Sequence, residues 1–275
     1  MLQTEQLELL HELGYDALRI FDAFCREHGL TYYLRGGSAL GAVKYHGFVP
    51  WDDDIDVALP REDYSRLIQI FPPESGDYRF VSAQNSPRAY CYFPRIVLAE
   101  EKRRAAGLPR NHEYGTLLID ILPLDGVPDN PLLFRAETVL IRFLRLLSSV
   151  WTLESKVIPC KRRGLKKLIP EAMHFLKLHR LYSQKSIFRM MDRIYGHSPF
   201  GSTRFAGILA GSKADREIVP TQWWGKARRS FFGPLTCPVP RCCDRYLQRL
   251  FGENYMREEP ERDTVEAASH YAADD

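Results

Sequence analysis

Apolar side chains recur at changing intervals along the first 130 positions, and each interval predicts a different element. Leu9, Leu13, Ala17, Phe21 and Phe24 fall at helical spacing within residues 2–28, and Gly29 follows as a helix stop. This predicts an amphipathic helix covering a sheet. Short apolar runs at 32–34, 55–59, 79–83, 90–98 and 116–122 predict strands. Between them, 38–44 and 61–71 read as helices, the second with Tyr64, Leu67, Ile68 and Phe71 facing inward. Residues 100–114 are charged and irregular, and Pro123, Asp125-Gly126 and Pro128 mark a turn-rich exit from the last strand.

The pattern changes at Asn130, a suitable N-cap, followed by Pro131, a suitable first helical residue. Helices are predicted over 132–153, 162–179, 184–195 and 240–251, with Gly252 closing the last. Residues 199–230 are loop-rich and contain Trp223-Trp224, while Phe231 and Phe232 are expected to return to the sheet. Strands mixed with helices, followed by a helical half, predict an α+β fold. The expected division is a catalytic core over 1–130, a helical lobe over 131–257, and a polar acidic tail over 258–275.

Composition narrows the class. Of 275 residues, 45% are hydrophobic and 12% aromatic, enough for a sizeable buried core. A net charge of +3 does not point to nucleic acid, although residues 161–167 read K-R-R-G-L-K-K. Six scattered cysteines are too sparse for a disulfide framework and imply reduced thiols in a cytoplasmic protein. The C-x4-C-C group at 237–243 lacks a second matched pair, so helix-start cysteines explain it better than zinc. Glu5, Glu8 and Glu12 stand where a secretory signal needs basic and then apolar residues. The longest apolar stretch, 132–151, is interrupted by Arg135, Glu137, Arg142 and Arg145, which argues against a membrane span.

Candidate chemistry concentrates in residues 34–63. Asp52, Asp53, Asp54 and Asp56 crowd into five positions, and such acids repel unless a cation neutralises them. On a strand, residues two apart share a face, so Asp54 and Asp56 are expected to point together, with Cα atoms about 6.5–7 Å apart. Asp53 is expected to face the other way. Two such carboxylates suit Mg²⁺, or Mn²⁺ as the alternative, both of which take oxygen ligands and often substrate phosphates. An EF-hand loop is excluded because its sixth position, counted from Asp52, is Val57, where the turn requires glycine. Gly36-Gly37-Ser38 precedes the acids. Glycines let a phosphate approach the backbone, and the Ser38 hydroxyl adds a contact. The motif is neither G-x-G-x-x-G nor a P-loop. Asp120 is a lone acid in T-L-L-I-D-I-L. It is read either as a third ligand or general base, or as the partner of Arg95 or a lysine in a salt bridge. Lys44, His46 and Arg95 are candidates for phosphate contacts.

The runs G-G-S-A-L-G-A-V-K-Y-H-G-F-V-P-W-D-D-D-I-D-V, F-P-R-I and L-I-D-I-L-P-L-D-G-V-P resemble the LicD family, over about residues 30–130. That family holds bacterial phosphocholine transferases and the related fukutin-type ribitol-phosphate transferases. The Y-L-Q-R-L-F-G-E-N-Y-M run also resembles its closing helix. The resemblance implies a nucleotidyltransferase-like mixed sheet with Mg²⁺ held by Asp54, Asp56 and Asp120. Gly36, Gly37 and Ser38 would lie against the donor phosphates. Asp52, Lys44, Arg95 and His270 would serve as further substrate contacts. It implies transfer of phosphocholine or a similar alcohol phosphate from a CDP-linked donor such as CDP-choline to a glycan hydroxyl, including that of a lipid-linked glycan. The reaction would take place in the cytoplasm or at the inner membrane face. Val97 stands where the family often has a second basic residue, which weakens the usual phosphate clamp. Two rival readings share the motif: a nucleotidyltransferase releasing pyrophosphate, and an inactive glycan-binding scaffold.

Overall fold

The computed structural model describes residues 4–83, 85, 92–110, 115–151, 174–175, 177, 181–211 and 214–259. His270, the acidic tail beyond 259, the basic run at 161–167 and nearly all of the helix expected over 162–179 lie outside them.

The first helix, α1 (Thr4–Glu27), buries Leu10, Leu13, Ala17, Leu18, Phe21 and Cys25 on one face, the stripe that the 3–4 residue spacing requires. Gly29 ends it with φ +62°, and the Leu30 amide donates back to the Cys25 carbonyl at 2.8 Å. A mixed sheet follows, in the order β1 (Tyr33–Leu34), β2 (Ile55–Pro60), β6 (Leu117–Val127), β5 (Arg95–Leu98), β4 (Tyr78–Val81), β3 (Glu74–Ser75). Only the central pair, β2 with β6, is parallel within this path. A parallel pair needs a long crossover, here supplied by α3 (Arg61–Ile70), the β3–β5 strands and α4 (Glu100–Ala105). The fold is therefore α+β, with a mixed sheet and flanking helices.

Helix α2 (Gly36–Leu40) connects β1 toward β2 and continues as a π-helical turn, Gly41–Tyr45. The wider turn fits because Gly41 passes directly beneath the Gly47 carbonyl, where a Cβ would collide.

The second half is less purely helical than its pattern predicts. Helices α5 (Pro131–Trp151) and α6 (Gln184–Tyr195) pack together through Ile141, Leu144, Ile187, Phe188, Met191 and Tyr195. Asn130 Oδ1 accepts from the Leu132 amide at 2.9 Å, capping α5 as expected. The loop-rich stretch then yields β7 (Phe205–Gly207), α7 (Ala214–Glu217) and β8 (Val219–Pro220), with β7 pairing onto the far half of β6. Phe231 and Phe232 do not rejoin the main sheet. They lie in a separate hairpin, β9 (Arg228–Phe232) with β10 (Leu235–Val239), whose Phe232, Cys237 and Val239 enter the main core. Helix α8 (Cys243–Phe251) is the last described helix and buries Cys243, Tyr246, Leu247 and Leu250. Cys237, Cys242 and Cys243 are free thiols, and among the described residues they form no metal-ligand cluster. No described helix is long and apolar enough to cross a membrane.

Candidate active site

Asp52, Asp53 and Asp54 occupy the bend just before β2, and all three are buried. Strand parity therefore does not reach them, because pleating begins only at Ile55. Asp53 does not turn away. Each of the three carboxylates offers an oxygen within 4.8 Å of the others. The bend is held from outside. His11 Nε2 bonds the Asp52 carbonyl at 2.7 Å, and the Asp52 amide donates to the Val49 carbonyl at 2.9 Å. Burial lowers the His11 pKa despite nearby Asp53 and Glu8, which favours a neutral imidazole stacked on Phe48.

Asp56 and Asp120 sit side by side because the parallel register of β2 and β6 pairs them directly. Each is held by its own arginine. Arg35 Nη1 lies 3.2 Å from Asp56 Oδ1, and Arg95 Nε lies 2.6 Å from Asp120 Oδ1. The salt bridge offered by the sequence as one reading of Asp120 is thus present. Arg35 also reaches Glu217 Oε1 at 2.8 Å. Tyr246 Oη donates to Glu217 Oε2 at 3.2 Å and accepts from the Gly36 amide at 3.2 Å. Glu217 and Tyr246, from α7 and α8, are absent from the sequence-based candidates. Arg35 is absent too, although it immediately precedes Gly36-Gly37-Ser38.

The glycine turn lies against the same acids. Gly36 adopts φ +51°, and a Cβ there would stand 3.4 Å from Asp56 Oδ2, so both conformation and space favour glycine. The buried Ser38 hydroxyl accepts from the Asp56 amide at 2.8 Å, tying the turn to the strand. Lys44 goes elsewhere: its Nζ donates to the Tyr255 and Glu258 carbonyls at 3.1 and 2.6 Å. Val97 pairs with Arg79 and is fully buried.

The electrostatics are lopsided. Six carboxyls, those of Asp52, Asp53, Asp54, Asp56, Asp120 and Glu217, share the region with the guanidiniums of Arg35 and Arg95. Burial pushes Asp54 well above the usual carboxylate range, and Asp56, Asp52, Asp53 and Asp120 push it further. Burial also raises Asp120 to about 6 against the pull of Arg95, with Asp56 adding to the rise. Glu217 is raised by burial, opposed by Arg35. Burial disfavours the Arg35 cation, but Asp56 and Glu217 outweigh it, so Arg35 stays charged. The strongest charges acting on Asp54 are all acids. An oxygen-only donor set with excess negative charge fits a hard divalent cation.

This geometry agrees with the comparisons to known proteins. Residues 29–89, which hold Gly36-Gly37-Ser38 and the four clustered aspartates, match the LicD family model, described as LicD/FKTN/FKRP, nucleotidyltransferase domain. Over that segment the chain is similar to LicD-family proteins. It is 24% identical to the lipopolysaccharide cholinephosphotransferase LicD of Haemophilus influenzae, over 95% of this chain and 94% of that protein. It is also 40% identical over 48 residues to the human ribitol 5-phosphate transferase FKRP, covering 18% of this chain and 10% of that one. The mouse FKRP protein matches to the same extent.

Proposed function

We propose that this protein is a divalent-metal-dependent phosphotransferase. In this reading it moves phosphocholine or a similar alcohol phosphate from a CDP-linked donor to a glycan hydroxyl. The observation that carries the reading is the buried excess of carboxylates around Asp54, in a chain similar to LicD across nearly its whole length. Asp54 and Asp56 would hold Mg²⁺ or Mn²⁺, with Asp120 beside them and Asp52 and Asp53 completing the acidic wall. A bound divalent ion would supply charge neutralisation at the donor's pyrophosphate.

The protein's own groups have separable tasks. Arg35 fixes the Asp56 carboxylate from one side, while Glu217 and Tyr246 fix Arg35 and the Gly36 amide. Such bracing holds a reacting geometry in advance, which is where much of the rate of in-line phosphoryl transfer arises. Arg95 is close enough to pair with Asp120 and carries the nearest positive charge on that strand pair. With a carboxyl raised to about 6, Asp120 has the basicity to take a proton from an acceptor hydroxyl near neutral pH.

The test is product analysis with CDP-choline, CDP-ribitol and CDP-glycerol in the presence of Mg²⁺ and a glycan acceptor. Transfer of the alcohol phosphate with release of CMP supports the reading. Release of pyrophosphate from a nucleoside triphosphate, with CDP-linked donors inert, overturns it in favour of nucleotidyl transfer.

A further inference from the structure

We propose that the outer face of α5 docks the protein on an anionic lipid surface. The inner face of this helix is accounted for by Ile141 and Leu144, packed against α6, with Ser148 also buried. On the opposite side, Leu132, Ala136, Val139, Leu140 and Phe143 recur at helical spacing over the first turns. Leu132 is 73% exposed, Val139 66% and Phe143 54%. Among the described residues, no other helix or strand exposes more than one large apolar side chain. A helix apolar on both faces has buried only one of them, and such a stripe on a folded protein marks a binding surface.

The charges beside the stripe select its occupant. Arg135 and Arg142 are both exposed and flank it on one side, one turn pair apart. The helix carries one acid, Glu137, and His197 Nδ1 engages it at 2.8 Å. Arg145 is directed away, donating to the Leu209 and Ala210 carbonyls at 3.1 and 2.7 Å. The outer face thus presents apolar side chains with cations alongside and no free carboxylate. This is the pattern of a helix lying in the plane of an interface, its apolar side among acyl chains and its arginines at headgroup phosphates. A second copy packed on the stripe would bring like-charged arginines together. No described helix is long and apolar enough to cross a membrane. The Tyr182 hydroxyl donates to the Leu147 carbonyl of the same helix at 3.1 Å, and its chain neighbour Leu181 is 83% exposed.

The inference does not depend on the proposed reaction, and vesicle co-sedimentation of the full chain tests it separately. The full chain is expected to sediment with phosphatidylglycerol-containing vesicles, and much less with phosphatidylcholine alone. Val139→Glu combined with Phe143→Glu should lower the bound fraction tenfold or more at unchanged thermal stability. Arg135→Gln combined with Arg142→Gln should remove the preference for anionic lipid. Absence of vesicle binding by the full chain, or equal binding by the Val139/Phe143 variant, overturns the proposal. So does a monomer–dimer equilibrium, seen by analytical ultracentrifugation, that those two substitutions abolish while vesicles stay unbound; the occupant is then a second copy.

Discussion

Two charged clusters are anchored on the same central strand pair, and they are built to opposite rules. Where β2 runs into α3, Arg61 grips Asp125 with both ends of its guanidinium, Nε and Nη2 each 2.6 Å from a carboxylate oxygen. Its remaining nitrogen reaches Asp192 on α6 at 2.5 Å, and the Tyr92 hydroxyl donates to the same carboxylate at 2.6 Å. One cation meets two acids, each hydrogen-bonded, and the network ties the sheet to the α5–α6 pair. At the other end of β2, six carboxyls meet two arginines. Satisfied charge in the first cluster makes a joint. In the second, carboxyls outnumber guanidiniums, and that imbalance is what the proposed cation would offset.

Several substitutions would break or sharpen this contrast. The largest effect is expected at the open cluster: Asp54→Asn and Asp56→Asn should each lower transfer about 100-fold or more. In the same variants the unfolding midpoint should hold or rise, most at Asp54→Asn, as acid repulsion is relieved. Full activity in both variants would remove the site from consideration. The closed cluster should respond in the reverse sense. Asp125→Asn removes the buried charge that Arg61 grips with two nitrogens, leaving it the exposed Asp192 alone, and should cost about 3 kcal/mol in chemical denaturation. If it costs less than Asp54→Asn, the distinction between joint and site collapses.

A smaller effect is expected from the metal itself. Saturating Mg²⁺ should raise the stability of the wild-type protein by about 2–3 kcal/mol at a hundredfold excess over its Kd. Asp54→Asn should forfeit that gain, whereas an identical shift in both proteins would mean that the ion binds elsewhere.

The smallest effect lies at a surface cluster. Glu100 is lowered to about 2, first by its hydrogen bond to Arg103 and then, against some burial, by Arg110 and Arg104. A carboxyl depressed in the folded state contributes stability above its ordinary value near 4.5 and loses it as the pH falls toward 2. With its outward exposure and screening by salt, the contribution is about 0.5–1 kcal/mol. Glu100→Gln should therefore flatten the acid limb of a stability–pH curve, more visibly in low salt.

How much of this was legible in the residues depends on whether the signal was local. Helix α1, strand β2 and the capped start of α5 each rest on a periodicity and a stop or cap within their own stretch. Gly36-Gly37-Ser38, Asp56 and the lone Asp120 stood out because each breaks an apolar run. The grouping of Asp52, Asp53 and Asp54 did not follow from parity, since parity needs pleated backbone and the chain bends until Ile55. Glu217 gave no sign at all. It lies in a four-residue helix within a loop-rich stretch, and only tertiary packing brings it to Arg35. Phe231 and Phe232 showed a strand without showing its partner, because pairing is chosen by the hairpin at Gly233 and not by hydrophobicity alone.

The register that places Asp56 beside Asp120 also sets when the cluster can exist. The two strands can pair only once the whole β3–β5 insertion between them has been made, and Glu217 and Tyr246 follow about a hundred residues later still. A growing chain would carry its four clustered aspartates long before the arginine brace that Glu217 completes. Premature capture of metal would then be by a loose acidic segment, and tight capture would mark a finished molecule. If the cluster takes the proposed ion, its affinity would also serve as a clock for the completion of folding, readable by adding the ion at successive times during refolding.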